Sequence, residues 1–283
     1  MLNCIYLLTI GAFNPDYKLL YNDVQILFMI DRKFSEFDNF IFDLDGTVWY
    51  WTKLIEKVSS VFSELRRHGK RVHFVTNNTL LTREGFAKKL QGFGISARPE
   101  QVTTPSEVAV GLFKRKKIFC IGEGMITELR NNKIVLTDHK PDAVVMAEDR
   151  SITYDKLAKA CILVEDGARF YKTAEGRIFF YGNKRIPGGG ALAAVIESCT
   201  YKKAELIGKP SDHMMHVVRG LGLDADKTVS IGDELNTDVL MGNRLGFATA
   251  LTLSGRDKKK DYDLAKGDTE PDFVLKSIMD LIK

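Results

Sequence analysis

The chain has 283 residues, of which 45% are hydrophobic and 28% are charged, the composition of an ordinary globular protein. Its 41 Lys and Arg residues and 37 Asp and Glu residues leave a net charge of +4, which is too small to indicate a nucleic-acid partner. Composition therefore excludes a disordered chain and leaves room for one large domain or two modest ones.

The N-terminal segment is apolar but does not fit a signal peptide or a membrane span. The run MLNCIYLLTIGAF lacks a basic start, soon meets Asp16 and Lys18, and at about 13 residues is too short to cross a bilayer. Met29 stands directly ahead of the first strong strand. We therefore expect residues 1–37 to be a loosely attached extension with no assigned role, or the result of a translation start assigned too early. Four widely separated cysteines without a Cys-x-x-Cys pair favour reduced thiols and a cytoplasmic protein.

Short apolar runs alternate with helical patterns along the rest of the chain, which predicts an α/β fold with a mostly parallel sheet. The predicted strands, in chain order, are 40–42, 71–75, 117–121, 143–147, 169–173, 204–207, 228–231 and 248–253. The predicted helices are 54–65, 82–91, 154–164 and 191–198. The stretch between Asn78 and Lys209 far exceeds the ~30 residues of a βαβ unit, so an inserted domain is expected there.

Four of the predicted strands run into polar segments, which begin at or just before Asp43, Thr76, Lys209 and Asp233. In open α/β sheets, ligands bind beyond the carboxyl ends of the strands, where helix N-termini also converge. The sequence therefore predicts that these four strand ends build one site.

The segment Asp43-Leu44-Asp45-Gly46-Thr47 places two carboxylates two residues apart just after a buried strand. The first can act as a nucleophile or metal ligand, and Asp is a known nucleophile in phosphoryl transfer. The second, on the turn that Gly46 allows, can act as an acid and a base. The alternatives are a solvated Asp-rich turn or a chance calcium-like loop, although the spacing of an EF-hand is not met.

A second acidic strand end is the segment GDELNTD, which contains Asp233 and Asp238. Mg²⁺ takes oxygen ligands and keeps several waters, so Asp43 and Asp233 with a substrate phosphate could hold it. Several converging carboxylates would repel one another without a cation or a proton. For Asp238, capping of the helix that begins at VLMGNRLG is an equal alternative to metal ligation.

The segment Thr76-Asn77-Asn78 and Lys209 provide groups that suit a phosphate. A hydroxyl and backbone N–H groups at a strand end ahead of a helix can hold phosphate oxygens, and Lys209 provides a positive charge. The alternatives are an ordinary turn, where Asn is common, and a solvated surface lysine.

The segments FDLDGT, FVTNN, GKP and GDELNTD occur in the order typical of the haloacid dehalogenase-like (HAD) hydrolase superfamily. Their details, and the long insertion between the second and the third, resemble the NagD-like or p-nitrophenyl phosphatase branch, subfamily IIA. The resemblance covers residues 38–283. It implies a Rossmann-like HAD core with a mostly parallel sheet at 38–114 and 203–283, and an inserted α/β cap domain at 115–202 that sets the substrate.

The resemblance also implies a role for each matching residue. Asp43 would attack phosphorus, and Asp45 would protonate the leaving alcohol and then activate the water that hydrolyses the aspartyl-phosphate. Because dehalogenases of this superfamily lack the second Asp, the presence of Asp45 favours a phosphatase. Thr76, the Asn77 backbone and Lys209 would bind the transferring phosphoryl group.

A Mg²⁺ cofactor is implied in the same way, held by the Asp43 carboxylate, the Asp45 backbone carbonyl and Asp233, with Asp238 in an outer shell. The substrate would be a small phosphorylated metabolite, and a homodimer through the cap is plausible by resemblance. Neither nucleic acid nor a membrane is expected as a partner, because short basic runs such as 114–117 and 258–260 are usually solvated faces. The cap departs from the family pattern at 173–176, so relatives do not predict the substrate.

Two other functions use the same residues. A phosphotransferase would pass the phosphate to an acceptor other than water. A catalytically silent protein would bind phosphate esters on the same fold, although the presence of every expected residue argues against it.

Overall fold

The computed structural model describes residues 29–283 except 56, 182 and 183. The strands are β1 (Asn39–Phe42), β2 (Trp49–Tyr50), β3 (Lys53–Leu54), β4 (Arg71–Val75), β5 (Val102–Thr103), β6 (Lys117–Ile121), β7 (Val135–Leu136), β8 (Ala143–Met146), β9 (Arg169–Lys172), β10 (Ile178–Tyr181), β11 (Lys184–Pro187), β12 (Glu205–Leu206), β13 (Thr228–Gly232), β14 (Ala248–Thr252) and β15 (Phe273–Leu275). The helices are α1 (Val58–Arg67), α2 (Arg83–Gly92), α3 (Pro105–Leu112), α4 (Glu123–Asn131), α5 (Tyr154–Glu165), α6 (Gly189–Thr200), α7 (Asp212–Arg219), α8 (Leu240–Arg244) and α9 (Lys259–Tyr262). A π-helical turn at Leu235–Val239 precedes α8, and 3-10 turns lie at Pro99–Gln101, Ala225–Lys227, Gly267–Thr269 and Ile278–Leu281.

The main sheet has six parallel strands in the order β15-β14-β13-β1-β4-β5. β1 lies inside this sheet because all four of its residues are buried, as a parallel strand covered on both faces requires. On one face, α1 packs Val61, Phe62 and Leu65 against the aromatic side chains of β1 and β4. The predicted α/β fold with a mostly parallel sheet is confirmed.

Residues 29–37 pack into the part of the fold built on the six-stranded sheet, which we call the main unit. The expectation of a loose extension therefore does not hold for them. Ile30 forms an antiparallel bridge with Ile282. Phe34 is fully buried, and its ring centroid lies 4.8 Å from that of Phe273. The burial of Phe34 stabilises this segment by the hydrophobic effect, which outweighs the entropy of ordering it. Residues 1–28 lie outside the described part of the chain.

A second sheet of five parallel strands, in the order β12-β9-β8-β6-β7, is formed mainly by the insertion. Helices α5 and α6 cover one face of this sheet, and the antiparallel hairpin β10–β11 projects from it. β12, which the sequence analysis assigned to the core, pairs with β9 of this second sheet. Lys209 therefore reaches the site from the second sheet, whereas Asp43, Thr76 and Asp233 follow strands of the main one.

A short antiparallel hairpin, β2–β3, ends at Leu54, where the sequence predicts the start of a helix. The helix α1 begins at Val58, four residues later than expected. Leu54 and Ile55 continue the apolar spacing of the helix but contact the core from the hairpin and the loop after it. Every helix in the described range is too short or too polar for a bilayer span.

Candidate active site

Three neighbouring strands of the main sheet end at one edge, and a polar residue follows each of them. Asp43 follows β1, Thr76 follows β4 and Asp233 follows β13. Because parallel strands present their carboxyl ends on the same side, the three residues converge. All three are buried, and they line the same cavity.

Lys209 lies at the centre of this cluster. Its Nζ donates to Asp43 Oδ1 at 2.6 Å, to Asp238 Oδ1 at 2.6 Å and to the Val75 carbonyl at 2.7 Å. The side chain of Asn77 holds the Lys209 backbone, since it accepts from the Lys209 N–H at 2.6 Å and donates to the carbonyl at 3.0 Å. A lysine that is 2% exposed with all three N–H donors in use is not a solvated surface lysine.

Asp238 does not cap the helix that follows it. Its Oδ2 accepts from the backbone N–H groups of Asp233 and Glu234, each at 3.1 Å. Its Oδ1 accepts from Lys209. Both oxygens of Asp238 therefore hold the acidic loop and the lysine in place.

The carboxylates of Asp43, Asp233 and Asp238 form an acidic cluster, in which one oxygen of each lies within 4.8 Å of the others. The close approach depends on Gly46, which has φ +91° and where a Cβ would lie 2.2 Å from Asp233 Oδ2. The same Asp233 oxygen accepts from the backbone N–H of Arg256 at 2.5 Å. Carboxylate oxygens at this spacing suit a hard divalent cation.

Burial and mutual repulsion raise the pKa values of Asp43 and Asp233. Burial raises the pKa of Asp43 to about 8, although Lys209 opposes the shift. The pKa of Asp233 lies well above its ordinary value because of burial and then the charges of Asp43 and Asp238. Burial lowers the pKa of Lys209, but the attraction of the carboxylates outweighs it and the net shift is upward. The cluster therefore holds more acidic groups than one lysine can neutralise.

Asp45 lies half-buried on the turn after β1, and both of its oxygens accept hydrogen bonds. Oδ1 accepts from Trp49 Nε1 and Oδ2 from Asn78 Nδ2, each at 2.9 Å. The sequence pattern did not predict these roles of Trp49 and Asn78. A signal for Trp49 was available, because a buried indole N–H needs a polar partner and Asp45 lies four residues before it.

Thr76 lies where the sequence analysis placed it, at the end of β4 on the cavity wall. Its Oγ1 accepts from the backbone N–H of Asn78 at 3.1 Å, which tightens the turn after the strand. Asn77 also lines the cavity, and its side chain is engaged by Lys209.

The site opens into a cavity of about 930 Å³ between the two sheets, a volume typical of small-molecule sites. Trp51 of the β2–β3 hairpin and Phe179 of β10 form part of its wall, with ring centroids 5.6 Å apart. The guanidinium of Arg150 lies 3.7 Å from the Trp51 ring and bonds to Glu148, a further wall residue. The insertion and the β2–β3 hairpin therefore both contribute to the cavity wall.

Arg256 connects the main unit to the insertion at the rim of this cavity. Its Nη1 donates to Glu234 Oε1 at 2.5 Å, and its Nη2 donates to the Ile178 carbonyl at 2.7 Å. The sequence analysis did not single out Arg256. It follows the end of β14 by four residues, so the same strand-end argument could have found it.

Two protein-family models match the chain, and the first of them extends into the start of the insertion. A haloacid dehalogenase-like hydrolase model matches residues 40–133, and a HAD-hydrolase-like model matches residues 206–281.

Known phosphatases are similar to the chain over most of its length. The 5'-nucleotidase YutF of Bacillus subtilis is 34% identical over 230 residues, which are 79% of this chain and 90% of the relative. A 4-nitrophenylphosphatase structure from Thermotoga maritima matches with a TM-score of 0.80 and 29% identity, over 88% of this chain and 97% of that one. A glycerol phosphate phosphatase from Mycobacterium tuberculosis, in complex with magnesium, matches with a TM-score of 0.79 and 25% identity, over 88% and 78% of the two chains.

These similarities identify the protein as a phosphoric monoester hydrolase. NagD from Escherichia coli is also among the structural neighbours, with a TM-score of 0.76 and 28% identity, over 86% of this chain and 97% of that one. The chain belongs to the haloacid dehalogenase-like hydrolase superfamily, in its NagD-like and p-nitrophenylphosphatase branch.

Proposed function

We propose that this chain hydrolyses small-molecule phosphate monoesters with Mg²⁺ through an aspartyl-phosphate on Asp43. The observation that carries the proposal is the 2.6 Å contact between Asp43 Oδ1 and Lys209 Nζ within a buried acidic cluster. This arrangement offers a carboxylate nucleophile beside a cation that can neutralise the phosphoryl oxygens. Phosphoryl transfer depends mainly on such positioning and charge neutralisation.

The proposed reaction has two steps. First, an Asp43 oxygen attacks phosphorus, and the bond to the leaving alcohol breaks as Asp45 donates a proton to the alcohol oxygen. Then Asp45 takes a proton from water, the water oxygen attacks phosphorus, and the bond to Asp43 breaks. Phosphate leaves, and both carboxyl groups return to their starting states. Thr76 and the Asn77 backbone N–H bind the phosphoryl oxygens in both steps, and the positive charge of Lys209 beside Asp43 stabilises them.

The donor set fits Mg²⁺. The Asp43 carboxylate, Asp233 and the Asp45 backbone carbonyl would hold the ion, which supplies positive charge to the phosphoryl group. Asp238 has both oxygens engaged by N–H donors, which suits an outer position. Because the pKa values of Asp43 and Asp233 are raised, a bound cation would stabilise the charged forms of both groups.

Removing the cation is expected to make stability depend on pH. Between the ordinary Asp pKa of 3.8 and about 8, the folded protein keeps a proton on Asp43 that the unfolded chain has lost. The free energy of unfolding of the metal-free protein should therefore fall as the pH rises from about 6 to about 8, by on the order of 2 kcal/mol. Because Mg²⁺ competes with that proton, it should raise the Tm more at the higher pH.

Thermal unfolding of EDTA-treated and Mg²⁺-loaded protein at the two pH values measures both effects. In the Asp43→Asn variant the position no longer titrates, so the pH dependence should shrink. Equal stabilisation by Mg²⁺ at both pH values in the wild type would contradict the proposed cation site.

The variant Asp45→Asn tests the second step. With p-nitrophenyl phosphate, whose leaving group needs little help from an acid, the phosphoenzyme should still form. Its hydrolysis should slow by about 10²–10⁴-fold, because no general base activates the water. Acid quenching with labelled substrate should then trap protein-bound phosphate, which the Asp43→Asn variant should not form. Dephosphorylation at the wild-type rate would exclude the role of Asp45.

The insertion at 115–202 is proposed as the cap that selects a small phosphorylated metabolite, since Glu148, Ala174 and Phe179 of the insertion line the same cavity as the acidic cluster. A cap-mediated homodimer also belongs to this proposal. Its support is a set of large apolar side chains exposed on the insertion: Val135, Tyr154, Ile162, Val195 and Tyr201. The mass of the protein in solution tests it.

A further inference from the structure

Two N–H donors from different parts of the main unit meet on one catalytic carboxylate. Trp49 Nε1 donates to Asp45 Oδ1 from the turn after β1, and Asn78 Nδ2 donates to Asp45 Oδ2 from the loop after β4. Both contacts are 2.9 Å, the ordinary length for a charge-assisted hydrogen bond. With one donor on each oxygen, the carboxylate can neither rotate nor move without breaking a bond.

The indole of Trp49 is itself fixed. The side chain is fully buried, and its ring centroid lies 5.9 Å from that of Phe93. The ammonium of Lys89 lies 3.9 Å from the Trp49 ring and donates to the Trp51 carbonyl at 2.9 Å. Because the ring packs on Phe93 and lies under the Lys89 ammonium, the indole N–H can point in only one direction.

The amide of Asn78 is fixed from its other end. Its Oδ1 accepts from the Leu80 N–H at 2.9 Å, and its backbone N–H donates to Thr76 Oγ1 at 3.1 Å. The amide therefore cannot turn over to place its oxygen toward Asp45 without losing the bond to Leu80. A buried indole N–H needs only one polar partner. Here a second anchored donor, from Asn78, converges on the same cavity-lining carboxylate.

We infer that Trp49 and Asn78 are positioning residues that hold Asp45 for proton transfer. This inference rests on the proposed function, in which Asp45 acts first as an acid and then as a base. Proton transfer requires the donor and acceptor within hydrogen-bond reach, and small displacements of a catalytic group reduce rates strongly. Loss of either donor frees Asp45 to rotate, which affects the proton-transfer steps rather than the binding of the phosphoryl group.

The variant Trp49→Phe removes the N–H and keeps an aromatic ring in place. We expect kcat to fall by about 10- to 100-fold, the range for an oriented hydrogen bond to a charged group, with KM nearly unchanged. Acid quenching should detect a larger fraction of phosphoenzyme at steady state than in the wild type. The variant Asn78→Asp keeps the acceptor for Leu80 but removes the donor and adds a repelling carboxylate, so its kcat should fall further.

The control is Phe34→Leu, which removes a fully buried aromatic ring from the same core, where its ring partners are Phe37 and Phe273. Its Tm should fall, while its kcat and phosphoenzyme fraction should stay near those of the wild type. A similar loss of kcat in Phe34→Leu and Trp49→Phe would attribute the loss to core packing alone and overturn the inference.

The decisive measurement is a double-mutant cycle with Asp45→Asn. If Trp49 acts through Asp45, adding Trp49→Phe to Asp45→Asn should leave the slow dephosphorylation rate unchanged. If the two substitutions instead multiply, Trp49 acts by another route and the inference fails. Failure of the proposed function is a separate result, because it would appear in Asp45→Asn alone as rapid dephosphorylation.

Discussion

Replacing Asp43 by Asn is expected to abolish Mg²⁺-dependent release of phosphate from p-nitrophenyl phosphate. An amide oxygen is not a nucleophile of comparable strength, so kcat/KM should fall by on the order of 10⁴-fold or more. The Asn oxygen can still accept from Lys209 Nζ. The substitution also removes a buried carboxyl group whose pKa is raised to about 8. The Tm of the metal-free variant should therefore not fall, which separates the loss of chemistry from a loss of folding.

The matched control is Asp38→Asn, because Asp38 precedes the same strand at its opposite end and is exposed. This variant should keep the wild-type kcat/KM. More than about a hundredth of the wild-type rate in Asp43→Asn would be incompatible with a nucleophile at this position, given the size of the expected effect.

Replacing Lys209 by Met is expected to affect both stability and activity. It leaves the buried carboxylates of Asp43 and Asp238 without their shared cation. Breaking a buried pair by removing one partner costs about 3–5 kcal/mol. This loss in the free energy of unfolding should be largest without Mg²⁺ and above the raised pKa of Asp43, about 8, because protonation relieves part of it at lower pH.

Activity in Lys209→Met should fall by about 10³-fold, because one of the groups that neutralises the phosphoryl oxygens is lost. Lys203→Met is the control, since Lys203 is a surface lysine 86% exposed in an ion pair with Glu197. Such surface pairs contribute about 0–1 kcal/mol. Chemical denaturation with and without Mg²⁺ measures the stability of both variants. If Lys209→Met loses no more stability than Lys203→Met, Lys209 does not stabilise the acidic cluster as proposed.

The site draws on both units of the fold, and this has a consequence for specificity. Asp43, Asp45 and Asp233 follow strands of the main sheet, whereas Lys209 follows β12 of the second sheet. Gly208 makes this junction possible, because a Cβ there would lie 2.0 Å from the Thr173 carbonyl oxygen. These groups are thus held where the two units meet, and side chains of the insertion such as Glu148 and Phe179 line the same cavity.

The local pattern of the chain was sufficient to predict eight of the fifteen described strands, among them those that end just before Asp43, Thr76 and Asp233. The strands before Asp43 and Thr76 end within the predicted bounds, because the last residues of each strand are buried and apolar and polar residues follow them. The order of the four motifs also identified the superfamily, since the spacing of reactive residues along the chain is a property of the sequence alone.

The sequence pattern did not predict contacts between distant segments. Its pattern placed the start of α1 too early because Leu54 and Ile55 continue a helical spacing from a hairpin. It left residues 29–37 outside the core because no local signal shows that Phe34 packs against Phe273, a residue near the other end of the chain.

The sequence by itself determined which residues can do chemistry and the order in which they occur. Only the tertiary structure decided how they are held: Lys209 between Asp43 and Asp238, and Asp45 between Trp49 and Asn78. The physical reason is that a hydrogen bond or an ion pair depends on distance and direction in space. Periodicity and residue type, which the sequence provides, specify local conformation and burial but not which distant partner each polar group meets.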